Sequence, residues 1–173
     1  MQPSEPTPET TPDAALETPP TNPDAGPGAA PDTAPEAGSA AGSDGAVPTF
    51  DTVVLDCPDP AALARFYAEL LDWPMPHVGP EAEEEGGAVT LDPPRGGAGI
   101  GFHRAAGFVA PTWPGPQVQQ QLHLDLHVGD IEAAHQRAVA LGARHLHSHS
   151  HTATAGYRVY GDPVGHPFCL CWW

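Results

Sequence analysis

The sequence contains no lysine, and its only cations of fixed charge are six arginines. Twenty-two aspartates and glutamates oppose them, so the formal net charge at pH 7 is −16. Proteins bind nucleic acids and anionic membranes through basic patches that contact phosphate groups. The shortage of basic residues therefore argues against nucleic acid and against a membrane surface as partners.

Long apolar runs and cysteine pairs are also missing. No apolar stretch approaches the length needed to cross a bilayer, and the N-terminus lacks the basic start and apolar core of a secretory signal. The cysteines are Cys57, Cys169 and Cys171, without a Cys-x-x-Cys motif. Cys169 and Cys171 lie two residues apart on a predicted strand, where geometry disfavours a disulfide. We therefore expect a reducing, cytoplasmic location.

Residues 1–47 contain no arginine and no aromatic residue, but they carry eight of the acids. Proline, alanine, threonine, glycine and serine make up most of the rest. Such a segment cannot bury enough apolar area to offset its conformational entropy. The sequence therefore predicts a disordered acidic tail over residues 1–47 and one folded domain over residues 48–173.

Two stretches 71 residues apart follow the same pattern, starting at Thr52 and at His123. Each is a short alternating strand, an aspartate that caps a helix, an amphipathic helix, an Asp-Pro turn and a final apolar strand. The strands are predicted over Phe50–Cys57 and Gln121–Val128, and the caps are Asp59 and Asp130. The repeat predicts an α+β domain of two paired β-α-β-β-β modules, with module one over 49–104, a linker over 105–118 and module two over 119–173.

Three motifs carry a family resemblance. They are Val54-Leu-Asp-Cys-Pro-Asp-Pro-Ala-Ala-Leu-Ala-Arg-Phe-Tyr67, Gln121-Leu-His-Leu-Asp-Leu-His-Val-Gly-Asp130 and Tyr160-Gly-Asp-Pro-Val-Gly-His-Pro-Phe-Cys169. In this order they resemble the vicinal oxygen chelate superfamily, also called the glyoxalase, bleomycin-resistance and dioxygenase superfamily. The resemblance covers residues 49–173 and is strongest to the compact glyoxalase-like proteins of bacteria.

The resemblance implies that the two curled sheets form a cup for a small molecule, often with a divalent metal, and that a homodimer is common. It implies first-strand metal ligands at Thr52 and His123 and a last-strand ligand at Cys169, with Gly101 or Gly99 as the counterpart in module one. Only His123 has the side chain usual at its position. If the protein is an enzyme, the resemblance implies metal-assisted lyase, isomerase or dioxygenase chemistry.

Strand alternation extends this set, because every second residue of a strand lies on the same face. If His123 and Cys169 face the cup, their alternate neighbours do too. The predicted lining is then Thr52, Val54, Asp56, His103, His123, Asp125, His127, Cys169, Cys171 and Trp173. This polar and aromatic lining suits a binding site.

The first site hypothesis is a metal centre built from His103, His123, Asp125 and Cys169. Imidazole, carboxylate and thiolate suit Zn²⁺, and Ni²⁺, Mn²⁺ or Fe²⁺ are alternatives. Three ligands and an open position would polarise a substrate oxygen or activate water. In the competing interpretation, His123 bonds to a neighbour such as Asp125, and Cys169 is a small buried apolar residue.

The second site hypothesis is a cup without metal, in which Trp113, Trp173, Phe108 and the imidazoles sandwich a flat or cationic ligand. Alternatively these aromatic residues pack in the core or the linker.

A histidine run forms the last candidate site, with His145, His147, His149 and His151 on one face of an extended segment. It predicts a sink for Ni²⁺, Cu²⁺ or Zn²⁺ or a pH-sensitive patch; the alternative is a solvated edge strand. The acidic run Glu81–Glu85 is interpreted as a solvated loop.

Overall fold

The computed structural model describes residues 48–173, so the predicted acidic tail lies outside the described residues. The elements, in chain order, are β1 (Thr52–Cys57), α1 (Pro60–Leu71), a 3₁₀ helix (Pro80–Glu83), β2 (Ala88–Leu91), β3 (Gly99–Arg104), β4 (Leu124–His127), α2 (Ile131–Ala140), β5 (Arg144–Thr152), β6 (Ala155–Gly161) and β7 (Pro167–Trp172). This confirms an α+β fold built from two similar modules.

Both helices begin where the sequence predicts. The Asp59 side chain accepts a hydrogen bond from the Ala62 backbone N–H, and Pro60 occupies the first turn of α1, where its missing N–H costs nothing. The Asp130 side chain accepts from the backbone N–H groups of Glu132 and Ala133 at the start of α2. After α2 the chain turns at Gly142, which has a positive φ of 104° that favours glycine.

The strands form two sheets of the same plan. In module one the order is β1-β3-β2, and in module two it is β4-β7-β6-β5. In each sheet the first strand pairs in parallel with the last strand of its module, and the other pairs are antiparallel. This repeated topology is the two-fold relation that the sequence repeat predicts.

Module one differs from the prediction by one strand. It has two strands after its helix instead of three, and the 3₁₀ helix Pro80–Glu83 overlaps the acidic run that was expected to be a loop. The predicted strand over Phe50–Cys57 begins at Thr52, and the one over Gln121–Val128 is confined to Leu124–His127. As a result His123 lies just before β4 and not on it.

The two modules share one core, formed by the faces of the sheets that the helices cover. Tyr67 of α1 stacks on Phe102 of β3, with ring centres 5.4 Å apart, and meets the ring of Phe168 of β7 edge-on at 6.3 Å. All three side chains are completely buried. Burial of each such side chain contributes about 1.5–3 kcal/mol. The core therefore fixes the modules with their helix-covered faces together.

A buried hydrogen bond also joins the modules. The Tyr67 hydroxyl donates to Asp162 Oδ2 at 3.1 Å, and Asp162 is only 4% exposed. The other carboxylate oxygen accepts from the backbone N–H groups of Val164, Gly165 and His166 at 2.8–3.0 Å. Asp162 therefore shapes the Asp-Pro turn of module two and holds it against helix α1 of module one.

Candidate functional site

Module two has an open face, the side of its sheet opposite the helices. Phe168 and Leu170 of β7 are buried in the core, and Cys169 and Cys171 alternate with them. Strand register places two rows of side chains across this module-two open face. The first row is Asp125, Cys169, Val159 and His147, and the second is His127, Cys171, Tyr157 and His149.

Three of the four predicted metal ligands come together on this face. His123, Asp125 and Cys169 each offer one ligand atom, and these atoms lie within 4.8 Å of one another. The Nε2 atom of His123 is 3.5 Å from Oδ1 of Asp125. Within residues 48–173 no other group of three or more His, Cys, Asp or Glu side chains is this close. We call these residues the His-Asp-Cys group.

The donor set of this group fits a divalent ion. One imidazole, one carboxylate and one sulfur are a Zn²⁺ ligand set, and three protein ligands leave one tetrahedral position open. Burial raises the pKa of the Cys169 thiol to about 12, and the adjacent Asp125 carboxylate adds to the rise. The thiol is therefore protonated at neutral pH, and an ion that binds sulfur must first displace that proton.

The His-Asp-Cys group borders a pocket of about 250 Å³. The lining residues are Trp113, Gln120, His123, Asp125, Tyr157, Val159, Pro167, Cys169 and Cys171. All belong to module two or to the connection that precedes it. The pocket therefore has a floor made by the module-two sheet and one wall made by residues 113–120, but no wall from module one.

Gln120 gives this pocket an unsatisfied polar atom. Its side-chain oxygen is buried and has no hydrogen-bond partner, the only such side-chain atom found within residues 48–173. An amide oxygen buried without a partner costs about 1–3 kcal/mol. Gln120 also lines the pocket that borders the His-Asp-Cys group, so its oxygen is a candidate acceptor for a hydrogen bond from a bound molecule.

Module one has an open face of its own, formed by Thr52, Val54 and Asp56 of β1 and the strand beside them. A Cβ atom added at Gly101 would lie 3.1 Å from a methyl carbon of Val54 and 3.3 Å from that of Thr52. Glycine at this position therefore lets Val54 and Thr52 pack over β3. The Nδ1 atom of His103 lies 3.2 Å from Asp56 Oδ1. His103 is therefore paired with Asp56 and is not a member of the His-Asp-Cys group.

The predicted cup lining is thus divided between two faces. Thr52, Val54, Asp56 and His103 lie on the module-one open face, whereas the predicted residues from His123 to Trp173 lie on the other. Each open face is the side of its sheet that does not contribute to the shared core.

The predicted aromatic sandwich also does not form. Trp113 borders the pocket, but Phe108 packs near His166, with ring centres 5.2 Å apart, and lines a different depression. Trp173 is 78% exposed, and its nearest aromatic neighbour is His127 at 4.3 Å. The three rings therefore have three separate surroundings.

Sequence reasoning missed four pocket residues, which are Gln120, Tyr157, Val159 and Pro167. Val159 and Tyr157 alternate on β6 and follow from the strand register, so a full alternation argument for that strand would have found them. Gln120 precedes β4 in a segment without regular structure, and nothing in the pattern of Gln119, Gln120 and Gln121 singles out the middle one.

Comparisons with known proteins agree with this fold. A family model described as a glyoxalase-like domain matches residues 52–171. A glyoxalase/bleomycin resistance protein/dioxygenase family enzyme from Burkholderia phytofirmans PsJN is similar in structure, with a TM-score of 0.53 and 15% identity over 70% of this chain and 95% of that one. No curated protein matches the sequence.

Two further solved structures are similar. A glyoxalase-related enzyme from Fulvimarina pelagi has a TM-score of 0.51 and 18% identity over 72% of this chain and 88% of that one. A glyoxalase/bleomycin resistance protein/dioxygenase from Nocardioides has a TM-score of 0.51 and 16% identity over 73% and 85%. At these identities the likeness shows the fold, and function must be argued from the site.

Proposed function

Because the chain belongs to the glyoxalase-like domain family of the vicinal oxygen chelate superfamily, we propose that it binds a small molecule in the pocket on the module-two open face. The observation that carries the proposal is the unsatisfied Gln120 oxygen beside the His-Asp-Cys group. An unpaired buried acceptor destabilises the free protein, and a ligand that donates to it removes that cost.

The pocket sets the chemistry of this ligand. At about 250 Å³ it lies below the usual range for drug-sized ligands, so the ligand is a small metabolite or one end of a larger molecule. It carries a hydrogen-bond donor for Gln120. Asp125 and the acidic composition disfavour an anionic ligand as long as no metal ion is bound.

A second candidate function is metal-dependent catalysis of the lyase, isomerase or dioxygenase kind. The closeness of the three ligand atoms favours it. His123, Asp125 and Cys169 would hold the ion, which would polarise an oxygen of the bound molecule. This chain's own contributions are to orient that molecule through Gln120 and to supply the thiol that gives up its proton.

We also propose that a second copy of the chain covers the pocket. The pocket on the module-two open face has no wall from module one, and Val54 on the module-one open face is 54% exposed. β1 and β4 are both edge strands of their sheets, so each also has one unpaired side. A homodimer in which module one of one chain faces module two of the other would bring the Asp56–His103 pair over the pocket.

A thermal-shift screen of the full-length chain without an affinity tag tests the proposed binding. A library of small polar metabolites is screened with and without added Zn²⁺, and every hit is repeated on Gln120→Leu and Gln121→Leu. Binding in the pocket predicts shifts that disappear in Gln120→Leu and persist in Gln121→Leu, whose side chain is exposed. A stable protein without hits, or hits indifferent to Gln120, would contradict the proposal.

Elemental analysis tests the metal-dependent alternative. The tag-free chain is purified without chelating resin, and its metal content is compared with that of His123→Ala and of His77→Ala, which removes an exposed histidine outside the group. The alternative predicts bound metal that is lost only in His123→Ala. Equal metal content in all three proteins would exclude this metal centre.

A further inference from the structure

The histidine run lies on β5, the edge strand of the module-two sheet. All four of its histidines are exposed. They do not share one face as the sequence suggests, because the pairing of β5 with β6 shifts register twice, between His145 and His147 and between Ser150 and Thr152. Each shift inserts one extra residue into β5 and changes the directions of the side chains around it.

The first shift separates His145 from the other histidines of the run. His145 pairs with Tyr160, which stacks on Phe168 on the helix side of the sheet. Its Nε2 atom is within hydrogen-bond distance of the His147 carbonyl oxygen, at 3.0 Å. Two residues later His147 pairs with Val159 and lies on the open face. His145 therefore lies on the helix side of the sheet, apart from the other three histidines of the run.

The second shift brings the last two histidines together. It leaves His151 without a partner on β6, and the ring centres of His149 and His151 are only 4.7 Å apart. Residues two apart on a regular strand are separated by about 6.7 Å. Tyr157 borders both rings, with centres 5.5 Å and 5.8 Å away. The bulge therefore makes the two imidazoles converge over one tyrosine.

This spacing matches two imidazoles on one metal ion. With metal–nitrogen bonds of about 2.0–2.1 Å and a ligand angle between 90° and 109°, ring centres lie about 4.5–5.2 Å apart. We propose that His149 and His151 form a surface site for a divalent transition-metal ion such as Ni²⁺, Cu²⁺ or Zn²⁺, separate from the His-Asp-Cys group. Imidazole is a preferred ligand for each of these ions.

The two metal groups are close but distinct. β5 and β7 are separated by one strand, so His149 lies about 10 Å from the cysteines of β7. Tyr157 borders the histidine pair and also lines the pocket. An ion held by the pair therefore sits at the rim of the pocket on the same open face, with water free to complete its coordination.

Titration of the tag-free, full-length chain with Ni²⁺ tests this site, because Ni²⁺ does not oxidise the cysteines. Isothermal calorimetry gives the stoichiometry, and paramagnetic broadening of histidine ring signals in NMR identifies the ligands. The proposal predicts that His149→Ala/His151→Ala binds one equivalent fewer than wild type and that His77→Ala does not. It also predicts early broadening of the His149 and His151 signals.

Two further results would overturn the proposal. One is a loss of Ni²⁺ in His77→Ala as large as in the double variant, which would mean non-specific uptake by exposed histidines. The other is unchanged stoichiometry in the double variant. His123→Ala separates this site from the His-Asp-Cys group, because it must leave the equivalent bound by His149 and His151 intact.

Discussion

Gln120 offers a test in which stability and binding change in opposite directions. Leucine is similar in size to glutamine but has no polar atom, so Gln120→Leu removes a buried acceptor that has no partner in the free protein. The cost of such an atom is about 1–3 kcal/mol. The free energy of unfolding of the ligand-free variant should therefore increase by about this amount, while ligand binding is lost.

Urea denaturation of the wild type, Gln120→Leu and Gln121→Leu, each in the presence of a chelator, measures this gain. For a domain of this size 1 kcal/mol corresponds to a shift in Tm of about 3–5 °C. Gln121 is exposed, so Gln121→Leu should change stability by less than about 0.5 kcal/mol. If Gln120→Leu is as stable as the wild type or less stable, the Gln120 oxygen is not an unsatisfied group awaiting a ligand.

Three other predictions follow from the structure. Tyr67→Phe removes the hydrogen bond to the buried Asp162 carboxylate and should lower the free energy of unfolding by about 1.5–3 kcal/mol in urea denaturation. Tyr157→Phe, at a partly exposed site, should have little effect. Equal effects of the two variants would contradict the role of this hydrogen bond between the modules. Zn²⁺ must displace the proton of the Cys169 thiol, whose pKa is about 12, so this proton should raise the Zn²⁺ affinity about tenfold per pH unit when affinity is measured against a competing chelator. Cys169→Ser should lower the slope of log affinity against pH by one. An unchanged slope would mean that Cys169 is not a ligand. Val54→Arg should convert the proposed homodimer to monomer in sedimentation, and Val139→Arg, at another exposed valine, should not; a wild-type monomer would exclude the homodimer.

Local features of the fold were predictable because they depend on near neighbours in sequence. Asp59 and Asp130 predict where the two helices begin, because their side chains cap the first backbone N–H groups. The alternation of Phe168, Cys169, Leu170 and Cys171 correctly separates the core from the open face. The same alternation predicted that Asp125 and Cys169 lie on one face with His123. In the structure these three of the four predicted metal ligands are neighbours.

Long-range features were not predictable from these patterns. Alternation shows which side of each strand is apolar, but not which side chains of the two modules pack against each other. Here Tyr67 packs against both Phe102 and Phe168, a contact between the modules that no local pattern predicts. The bulges of β5 likewise depend on its pairing with β6, so the sequence alone predicts one row of histidines where the structure has a divided set.

A crystal structure of the full-length chain with a hit from the thermal-shift screen tests the central claim most directly. The account predicts that the molecule occupies the pocket on the module-two open face, with a donor atom in hydrogen-bond distance of the Gln120 oxygen and its other end beside His123 and Cys169. A molecule bound instead in the depression between α1 and α2, lined by Arg65 and Arg137, would contradict it.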